Sequence, residues 1–332
     1  RLQAFATDKV MAEDKKLFIT GRPNGKKVAI IGAGPAGISC ACELRMYGYE
    51  VDIYEAKSKP SGLIIYGIAP YKITNEATLN EMDYLQKQFG YNINYKSPVK
   101  TKSDMAKLER KYHAIFIGIG LGKTSSIDIP GEDLENCLGA IEFIEDLRIN
   151  HHKTKIGKKV IVLGGGNTSM DAASESARMG AEEVILAYRR SKEEKGAYEF
   201  EYDLAKGAGV KGLFNVTPVE IVGDKKVNGV KFVRNRSAQG KIETIKGSEF
   251  IEECDMVIRA TGQSKQVGFL EKILKLKLDK KGRIIVNSKN HQTRNPKYFA
   301  GGDAVNGGVE VVNAVAEAKI AARGIHDYLN GR

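Results

Sequence analysis

One strand–helix–strand pattern occurs twice in this sequence, and that repeat limits its fold more than any other feature. The first copy is KKVAIIGAGPAGISCACELRMYGYEVDIYEA, residues 26–56, and the second is KKVIVLGGGNTSMDAASESARMGAEEVILAYRRS, residues 158–191. Each copy has an apolar run, a glycine turn, small residues, a glycine at the predicted helix exit (Gly48, Gly180) and another apolar run. Near-continuous Val, Ile and Leu runs are typical of parallel strands covered on both faces. The sequence therefore predicts an α/β fold with two parallel β-sheets.

The stretches between and after the repeats complete this prediction. KYHAIFIGIG (111–120) and ECDMVIRATG (253–262) each predict a late strand that ends in glycine and returns to its own glycine turn. Residues 201–250 alternate β-branched runs with turn residues, which favours an antiparallel excursion. The C-terminal part, from residue 290 onward, predicts a strand, a glycine loop and a long helix that complete the first domain. We expect two Rossmann-like dinucleotide-binding domains, the second inserted into the first.

The predicted domain limits follow from these patterns. We expect an N-terminal helical segment over residues 1–25, a first domain from 26–128 and 263–332, and a second domain over 129–262. A chain of 332 residues suits two domains, because single cores rarely exceed about 250–300 residues. The apolar runs are far shorter than the roughly 20 residues of a membrane helix, and the N-terminus lacks a signal-peptide core, so we expect a cytoplasmic protein with no membrane partner. Since the first residue is Arg, the sequence leaves open a missing N-terminal segment.

The charge and the cysteines of the sequence argue against nucleic-acid binding and against metal binding. The net charge of +11 comes from scattered lysines without aromatic interleaving, which predicts a solvated surface rather than a nucleic-acid site. Anionic cofactors or an acidic partner subunit are the alternatives. The four cysteines form no C-x-x-C and no metal-ligand spacing, so we expect buried thiols and no metal site: Cys40, Cys42, Cys137 and Cys254. His151-His152, beside a lysine-rich loop, is interpreted as exposed surface.

The first glycine turn has the spacing Gly32-x-Gly34-x-x-Gly37 between a predicted strand and a predicted helix. The early glycines allow a tight turn and close approach of a pyrophosphate, the third allows helix–strand packing, and the helix N-terminus favours negative charge. The next strand ends in Glu55, whose carboxylate can bind ribose hydroxyls and repels a 2′-phosphate. This site predicts FAD or NAD(H).

The second glycine turn differs in the residues that end its following strand. Its spacing is Gly164-x-Gly166-x-x-Ser169, and the strand ends in Tyr188-Arg189-Arg190 instead of an acid. Guanidinium groups match phosphate oxygens, so the pair favours NADP(H), with exposed strand-end arginines and NAD(H) as alternatives. Two dinucleotide sites in one chain indicate hydride transfer between the two cofactors. That chemistry needs no catalytic acid–base residue of the protein.

Several stretches together resemble a known family over nearly the whole chain. They are GAGPAG…YE, KPSGLIIYGIAPYK, GGGNTSMDAA…YRRS, ATG and YFAGGDAVNGGVEVVNAVAEAKIAA. They resemble, in this order, the FAD/NAD(P)H-binding module of the glutamate synthase small subunit, which also occurs in dihydropyrimidine dehydrogenase. The two chain ends look closer to the pyrimidine-reducing members, especially the bacterial separate flavin subunit.

The resemblance implies specific cofactor contacts. For FAD these lie at the first turn and the Glu55 strand end, beneath the flavin, at the adenine edge, at the ribityl–phosphate part and at the final helix: Gly32, Ala33, Gly34, Pro35, Ala36, Gly37, Glu55, Ala56, Lys57, Gly62, Leu63, Val99, Gly120, Gly302, Asp303, Val311 and Val312. For NADP(H) they are Gly164, Gly166, Asn167, Thr168, Arg189, Arg190, Ala260 and Gly262.

The chain departs from the family pattern at four places. Ser61-Gly62 replaces the usual Gly-Gly, Ile68-Ala69-Pro70 interrupts the usual Ile-Pro, Lys72 replaces the common Arg, and Lys195-Gly196-Ala197 replaces Met-Pro-Ala. These changes concern the flavin pocket and the nicotinamide side, while both glycine turns keep the family pattern.

The resemblance implies an electron-input module. Hydride would pass from NADPH to FAD, and electrons would continue to iron–sulfur centres outside this chain, in a partner subunit or in the cysteine-rich N-terminal domain usual in the family. The alternatives are a stand-alone ferredoxin- or quinone-type NAD(P)H reductase and a non-catalytic nucleotide-binding sensor or scaffold subunit. A disulfide reductase is disfavoured, because it needs a C-x₂-C or C-x₄-C pair that the sequence lacks.

Overall fold

The computed structural model describes residues 2–150, 153–238 and 241–331, so His151 and His152 lie outside the described residues. Internal contacts divide the chain into two compact units. Unit 1 contains the described residues of Arg1–Ile65, Ile73–Gly122 and Lys265–Arg332, and unit 2 contains Tyr66–Lys72 and Lys123–Ser264. The segment Tyr66–Lys72 thus belongs to unit 2 although both of its neighbours along the chain belong to unit 1. The domain limits given above stay a prediction.

The helices and strands of the described residues alternate along most of the chain. The helices are α1 Leu2–Ala12, α2 Pro35–Met46, α3 Leu63–Tyr66, α4 Asn75–Phe89, α5 Lys102–Lys111, α6 Ala140–Asn150, α7 Asn167–Arg178, α8 Glu199–Gly207, α9 Val267–Lys272, α10 Asp303–Asn306 and α11 Val311–Leu329. The strands are β1 Lys27–Ile31, β2 Glu50–Tyr54, β3 Asn92–Asn94, β4 Ala114–Ile117, β5 Cys137–Gly139, β6 Lys159–Leu163, β7 Glu183–Tyr188, β8 Lys211–Phe214, β9 Val216–Gly223, β10 Val227–Ala238, β11 Lys241–Thr244, β12 Phe250–Glu253, β13 Met256–Arg259 and β14 Tyr298–Ala300.

Unit 1 is built on a parallel sheet with the strand order β14-β4-β1-β2-β3. One face is covered by α2 and α11, where alanines such as Ala41, Ala318 and Ala321 are fully buried. The other face is covered by apolar residues that include Met105 and Leu108 of α5. Burial on both faces explains the continuous apolar runs of the central strands.

Unit 2 repeats this architecture. Its parallel sheet has the order β5-β13-β6-β7-β8, in which β13-β6-β7-β8 corresponds to β4-β1-β2-β3 of unit 1. The outer strand differs, since β5 precedes the other strands of its sheet along the chain whereas β14 follows them. A second sheet is antiparallel, with β10 pairing β9, β11 and β12, as residues 201–250 predicted. Strand β14 pairs β4 of unit 1, so the chain completes its first sheet after the second. The predicted α/β fold with an inserted second domain is confirmed.

Helix ends follow local sequence. Gly48 and Gly180 after α2 and α7 have φ of +82° and +98°, in the left-handed region that glycine adopts without strain. Helix α5 begins with a capping box in which Thr101 Oγ1 accepts from the backbone N–H of Asp104 and Asp104 accepts from that of Thr101. Among the described residues, no helix has both the length and the apolar character needed to cross a membrane.

Candidate functional sites

The first glycine turn, at the end of β1, has one open position between two crowded ones. A Cβ on Gly32 would lie 2.5 Å from the carbonyl oxygen of Gly118, and one on Gly37 would lie 1.9 Å from that of Gly32. The nearest heavy atom to a Cβ on Gly34 would be Gly62 Cα at 3.9 Å. The outer glycines are therefore required by packing, whereas the middle one presents bare backbone to open space. This shape fits a pyrophosphate-binding turn.

The start of helix α2 supports the same fit. Gly34 is the N-cap, in an extended conformation and without a side-chain hydrogen bond, and Pro35 follows in the first turn. Pro is favoured there because its missing N–H has no intrahelical partner anyway. The N–H groups of this first turn are available to an anionic ligand, which the helix dipole favours.

Glu55, just after β2, fixes the turn in place. Its Oε2 accepts a hydrogen bond from the backbone N–H of Ala33 at 2.8 Å, and its Oε1 accepts one from that of Lys57 at 2.7 Å. The residue is only 8% exposed. A carboxylate oxygen has more than one acceptor site, so these bonds leave Glu55 able to accept from ribose hydroxyls as well.

The loop after Glu55 returns to the same turn. The backbone N–H of Ser61 donates to the carbonyl of Ala33 at 2.7 Å, and a Cβ on Gly62 would lie 3.0 Å from Gly34 Cα. Ser61 is buried with φ of +76°, a conformation that costs a non-glycine residue about 1–2 kcal/mol. This explains why glycine is usual at that position. Serine keeps the loop conformation at the expense of backbone strain.

The C-terminal part of unit 1 is tied together by Glu317 of α11. Its Oε2 accepts from the backbone N–H of Gly302 at 2.7 Å, and its Oε1 accepts from Asn306 Nδ2 at 3.1 Å. Burial raises the pKa of Asp303, the neighbouring Glu317 adds to this, and the Val309 N–H acts in the opposite direction. Glu317 therefore holds the Gly302–Asn306 turn against the helix that begins with the exposed residues Val311 and Val312. No motif in the sequence indicates this role of Glu317.

Four more of the predicted FAD residues, Ala56, Lys57, Val99 and Gly120, follow strands of the unit 1 sheet. A cavity of about 240 Å³ is lined by Tyr54, Ser97, Pro98, Val99, Asp104, Lys107 and Leu108, which places the predicted adenine contact Val99 beside the end of β2. Ala56 and Lys57 directly follow Glu55 and are exposed. Gly120, after β4, has φ of +63° and no heavy atom within 4 Å of an added Cβ.

The second glycine turn uses the same principle with a serine. A Cβ on Gly164 would lie 2.5 Å from the carbonyl oxygen of Ala260, while one on Gly166 would meet nothing within 4 Å. Ser169 is fully buried, and its Oγ donates to the carbonyl of Gly166 at 2.5 Å. The hydroxyl is thus satisfied locally, which is why serine is tolerated at this packed position. Gly166 is the uncapped N-cap of α7, so this turn also fits a pyrophosphate.

The residues that end β7 border this second turn. The Tyr188 ring packs on Gly165, where an added Cβ would lie 2.5 Å from it. Arg189 is exposed and Arg190 is partly buried. Asn167 Oδ1 accepts from the backbone N–H of Tyr198 at 3.0 Å. The strand that follows the second turn therefore leads into two arginines, whereas the strand that follows the first turn leads into a carboxylate.

Three further predicted contacts complete the second site. Thr168 lies in the first turn of α7 and is partly exposed. The backbone N–H of Ala260 donates to the carbonyl of Leu163 at 2.8 Å, which holds the end of β13 against the turn. Gly262, with φ of +95°, accepts from the Ser125 N–H at 2.9 Å.

Residues 195–197, which replace the family's Met-Pro-Ala, belong to a loop that contacts the second glycine turn. The backbone N–H of Ala197 donates to the carbonyl of Gly165 at 3.0 Å. The Lys195 side chain is 6% exposed, forms a 2.5 Å ion pair with Glu199, and lies 5.0 Å from the centre of the Tyr202 ring. Lys195 is therefore engaged with α8.

The segment Tyr66–Lys72 is held in unit 2 by an ion network that the sequence did not reveal. Lys72 Nζ lies 2.7 Å from both Asp171 of α7 and Glu201 of α8. Tyr71 donates its hydroxyl to Asp171 at 2.8 Å, and Arg148 donates to the carbonyl of Ile68 at 2.8 Å. Burial raises the pKa of Asp171, although Lys72 acts in the opposite direction. Lys72, which replaces the arginine common in the family, thus pairs with an acidic residue of α7, the helix that follows the second glycine turn.

The four cysteines are all free thiols, with Cys40 and Cys254 buried and Cys42 and Cys137 partly buried. Burial raises the pKa of Cys42 and of Cys254 to about 12, and it also raises the pKa values of Cys40 and Cys137. In the described part of the chain, no group of three or more His, Cys, Asp or Glu side chains has a geometry that could hold a metal ion.

Two parallel five-stranded sheets that share the order of four strands, each with a glycine turn at a helix N-terminus, define the class of FAD-dependent NAD(P)H oxidoreductases. The chain belongs to the pyridine nucleotide-disulphide oxidoreductase family, whose model matches residues 26–318. The predicted family resemblance is confirmed. The fold is similar to that of Mycobacterium tuberculosis FprA in complex with NADPH, with a TM-score of 0.77 at 18% identity, covering 93% of this chain and 85% of that one.

The chain is also similar to several named proteins of this family. It is 37% identical to the NADP(+)-dependent formate dehydrogenase subunit beta of Moorella thermoacetica, over 93% of this chain and 45% of that protein. It is 34% identical to the glutamate synthase [NADPH] small chain of Escherichia coli, over 99% and 74% respectively. It is 30% identical to the NAD-dependent dihydropyrimidine dehydrogenase subunit PreT of Escherichia coli, over 100% and 75%. The chain spans less than half of the first of these relatives.

Proposed function

We propose that this chain is an electron-input module that takes reducing equivalents from NADPH onto FAD and passes them to iron–sulfur centres outside the chain. The observation that carries the proposal is the difference between the two glycine turns, one held by Glu55 and the other followed by Arg189-Arg190. When bound, the two cofactors supply the hydride and single-electron chemistry. The chain itself binds and orients them.

The first turn and its surroundings are proposed to hold FAD, with residues 26–128 and 263–332 as the FAD domain. Gly34 leaves room for the pyrophosphate, and the start of α2 provides uncapped N–H groups. Glu55 already orders the turn and has acceptor capacity left for a ribose. The Gly302–Asn306 turn, held by Glu317, supports the predicted contact with the ribityl–phosphate part.

The second turn is proposed to hold NADP(H), with residues 129–262 as its domain. The names of the relatives include both NADP and NAD, so they do not decide between the two. The guanidinium groups of the consecutive residues Arg189 and Arg190 favour the extra 2′-phosphate, because they remain charged and match phosphate oxygens. An acid at this strand end would repel that group, as Glu55 would at the first turn.

The partner is proposed from the relatives and from the cysteines. The formate dehydrogenase and dihydropyrimidine dehydrogenase relatives are named as subunits, and the glutamate synthase relative as a small chain. The thiols of this chain form no ligand set in the described residues. We therefore place the iron–sulfur centres on a partner subunit or another segment, in the cytoplasm.

An anaerobic titration tests this proposal. The purified protein should show flavin absorbance near ~450 nm that NADPH bleaches faster than NADH does. Flavin that resists both nucleotides, or protein that binds no flavin, would favour a sensor or scaffold subunit and overturn the proposal. Rapid oxidation of the reduced protein by a quinone, with no iron–sulfur protein co-purifying from its source, would favour the stand-alone reductase.

A further inference from the structure

Arg189 and Arg190 lie just beyond the sheet that carries them. The pairing of β7 with β8 ends at Tyr188 and Phe214, and its pairing with β6 ends at Ala187. The ladder of the parallel sheet therefore does not fix the backbone of the two arginines. Their backbone must be oriented by other contacts if the guanidinium groups are to meet a phosphate in a defined geometry.

Two asparagines provide those contacts. Asn235 donates from Nδ2 to the carbonyl of Arg189 at 3.0 Å, and Asn215 donates its backbone N–H to the carbonyl of Arg190 at 3.0 Å. The two asparagines are also joined, since the Asn235 N–H donates to the Asn215 carbonyl at 2.7 Å. Consecutive arginine carbonyls are thus held by one connected set of hydrogen bonds, the asparagine brace.

Asn235, in β10, is buried to an unusual degree for an amide. It is 5% exposed, and Nδ2 also donates to Thr217 Oγ1 at 2.7 Å. Its Oδ1 is buried and has no hydrogen-bond partner in the described part of the chain. Reversing the amide would set Oδ1 against the Arg189 carbonyl, so the donors fix its orientation. An apolar residue would avoid the unsatisfied oxygen, which indicates that the position is occupied for its donors.

Asn215, between β8 and β9, contributes through its backbone. Its φ is +59°, in the left-handed region where asparagine and glycine are favoured and β-branched residues are strained. This conformation carries the N–H that reaches the Arg190 carbonyl. Glycine can therefore replace Asn215 in the brace, whereas valine cannot.

We propose that Asn215 and Asn235 are positioning residues for coenzyme discrimination: they orient Arg189 and Arg190 toward the 2′-phosphate. This inference rests on the proposed NADP(H) site. It assigns a role to the antiparallel sheet, which carries Asn235 in β10 and begins with β9 directly after Asn215. The sheet supports the strand end that selects between the two coenzymes.

Binding of NADP⁺ and NAD⁺ tests the inference without turnover, because neither oxidised nucleotide can reduce flavin. Calorimetry gives the ratio of the NAD⁺ dissociation constant to the NADP⁺ dissociation constant, which is high when NADP⁺ is preferred. The ratio is measured for the wild type, Asn235→Leu, Asn215→Val and Asn215→Gly. We expect the preference for NADP⁺ to fall about tenfold in Asn235→Leu and Asn215→Val, mainly through weaker NADP⁺ binding. Asn215→Gly should keep the wild-type ratio.

Ser248→Ala is the matched control. Ser248 Oγ accepts from the Arg234 N–H at 3.0 Å, so this variant removes a hydrogen bond to the residue beside Asn235 without touching the brace. Its ratio should equal that of the wild type. A purely structural role for the asparagines would lower the free energy of unfolding and leave the ratio unchanged, which would overturn the inference.

Arg189→Ala separates this inference from the proposed function. If Arg189→Ala leaves the ratio unchanged, the proposed 2′-phosphate site itself is wrong. If Arg189→Ala lowers the ratio but neither asparagine variant does, the site stands and the brace has no role in discrimination. Should Asn235→Leu fail to fold, the Asn215→Val and Asn215→Gly pair decides the question.

Discussion

Glu55 Oε2 lies 2.8 Å from the backbone nitrogen of Ala33, so the end of β2 holds the glycine turn at the end of β1. Oε1 binds the Lys57 N–H in the same way. Glutamine offers a single acceptor oxygen, and its amide nitrogen donates but cannot accept. We expect Glu55→Gln to lower the free energy of unfolding by about 1–3 kcal/mol, measured by urea denaturation, and to reduce the flavin retained after dialysis.

Glu50→Gln is the control at the other end of the same strand. Glu50 forms an exposed 2.7 Å ion pair with Lys27, which is expected to contribute little. Equal losses of stability and flavin in both variants would mean that the Glu55 contacts have no special role.

The open glycines allow binding to be separated from folding. Gly34 and Gly166 have negative φ, and an added Cβ would meet nothing closer than 3.9 Å at the first and nothing within 4 Å at the second. Alanine at either position should change the free energy of unfolding by less than about 1 kcal/mol. A methyl group would nevertheless occupy the space through which the ligand pyrophosphate approaches the protein backbone. We expect Gly34→Ala to weaken FAD binding, and Gly166→Ala to weaken NADP⁺ binding, at least about tenfold in calorimetry.

Gly37→Ala is the contrasting variant. Its Cβ would lie 1.9 Å from the Gly32 carbonyl oxygen, so it should lose about 1–3 kcal/mol of stability. Unchanged affinity in Gly34→Ala and Gly166→Ala would place the pyrophosphates elsewhere.

The two turns could be predicted because their chemistry is local in sequence. Spacing alone located Gly32, Gly34 and Gly37, since a tight turn between strand and helix tolerates few residues. The asparagine brace could not be predicted, because Asn235 lies 46 residues from Arg189 and is brought there by the antiparallel sheet. The same holds for Glu317, whose contacts with Gly302 and Asn306 depend on how α11 packs.

The segment Tyr66–Lys72 shows a second limit of sequence analysis. Its apolar and turn residues look like part of a loop of the first domain. In the folded chain it belongs to unit 2, where Ala69 is buried in the apolar core and Lys72 forms ion pairs with Asp171 and Glu201, about 100 and 130 residues away. Long-range charge pairing leaves no periodic pattern, so it becomes visible only in the folded chain.

Removing Lys72 should destabilise the protein in a pH-dependent way. Lys72→Met leaves the buried carboxylate of Asp171 without its ammonium partner, which is expected to cost about 3–5 kcal/mol near neutral pH. Burial already raises the pKa of Asp171 above its ordinary value of 3.8. The protonated carboxyl is therefore favoured in the folded state, and this contribution is present below the unfolded pKa and lost as pH rises through the folded one.

The difference in free energy of unfolding between wild type and Lys72→Met should thus be smaller at pH 5 than at pH 8, measured by urea denaturation at both values. Lys72→Arg keeps the positive charge and should remain close to the wild type at both. A pH-independent loss in Lys72→Met would indicate that lost packing, not the unpaired carboxylate, is responsible.

The cysteines provide a test of disulfide chemistry. The thiolate is the reactive form of cysteine. A pKa of about 12, as for Cys42 and Cys254, leaves about one thiolate in ten thousand at pH 8. We expect a thiol-specific reagent to label Cys42 and Cys254 of the native protein at least about a thousandfold more slowly than the same residues of the urea-unfolded chain. Cys42→Ser, at the partly exposed position on α2, should retain NADPH-dependent flavin reduction. Rapid labelling of two native thiols, together with loss of that reduction, would instead point to a redox-active pair and to a disulfide reductase.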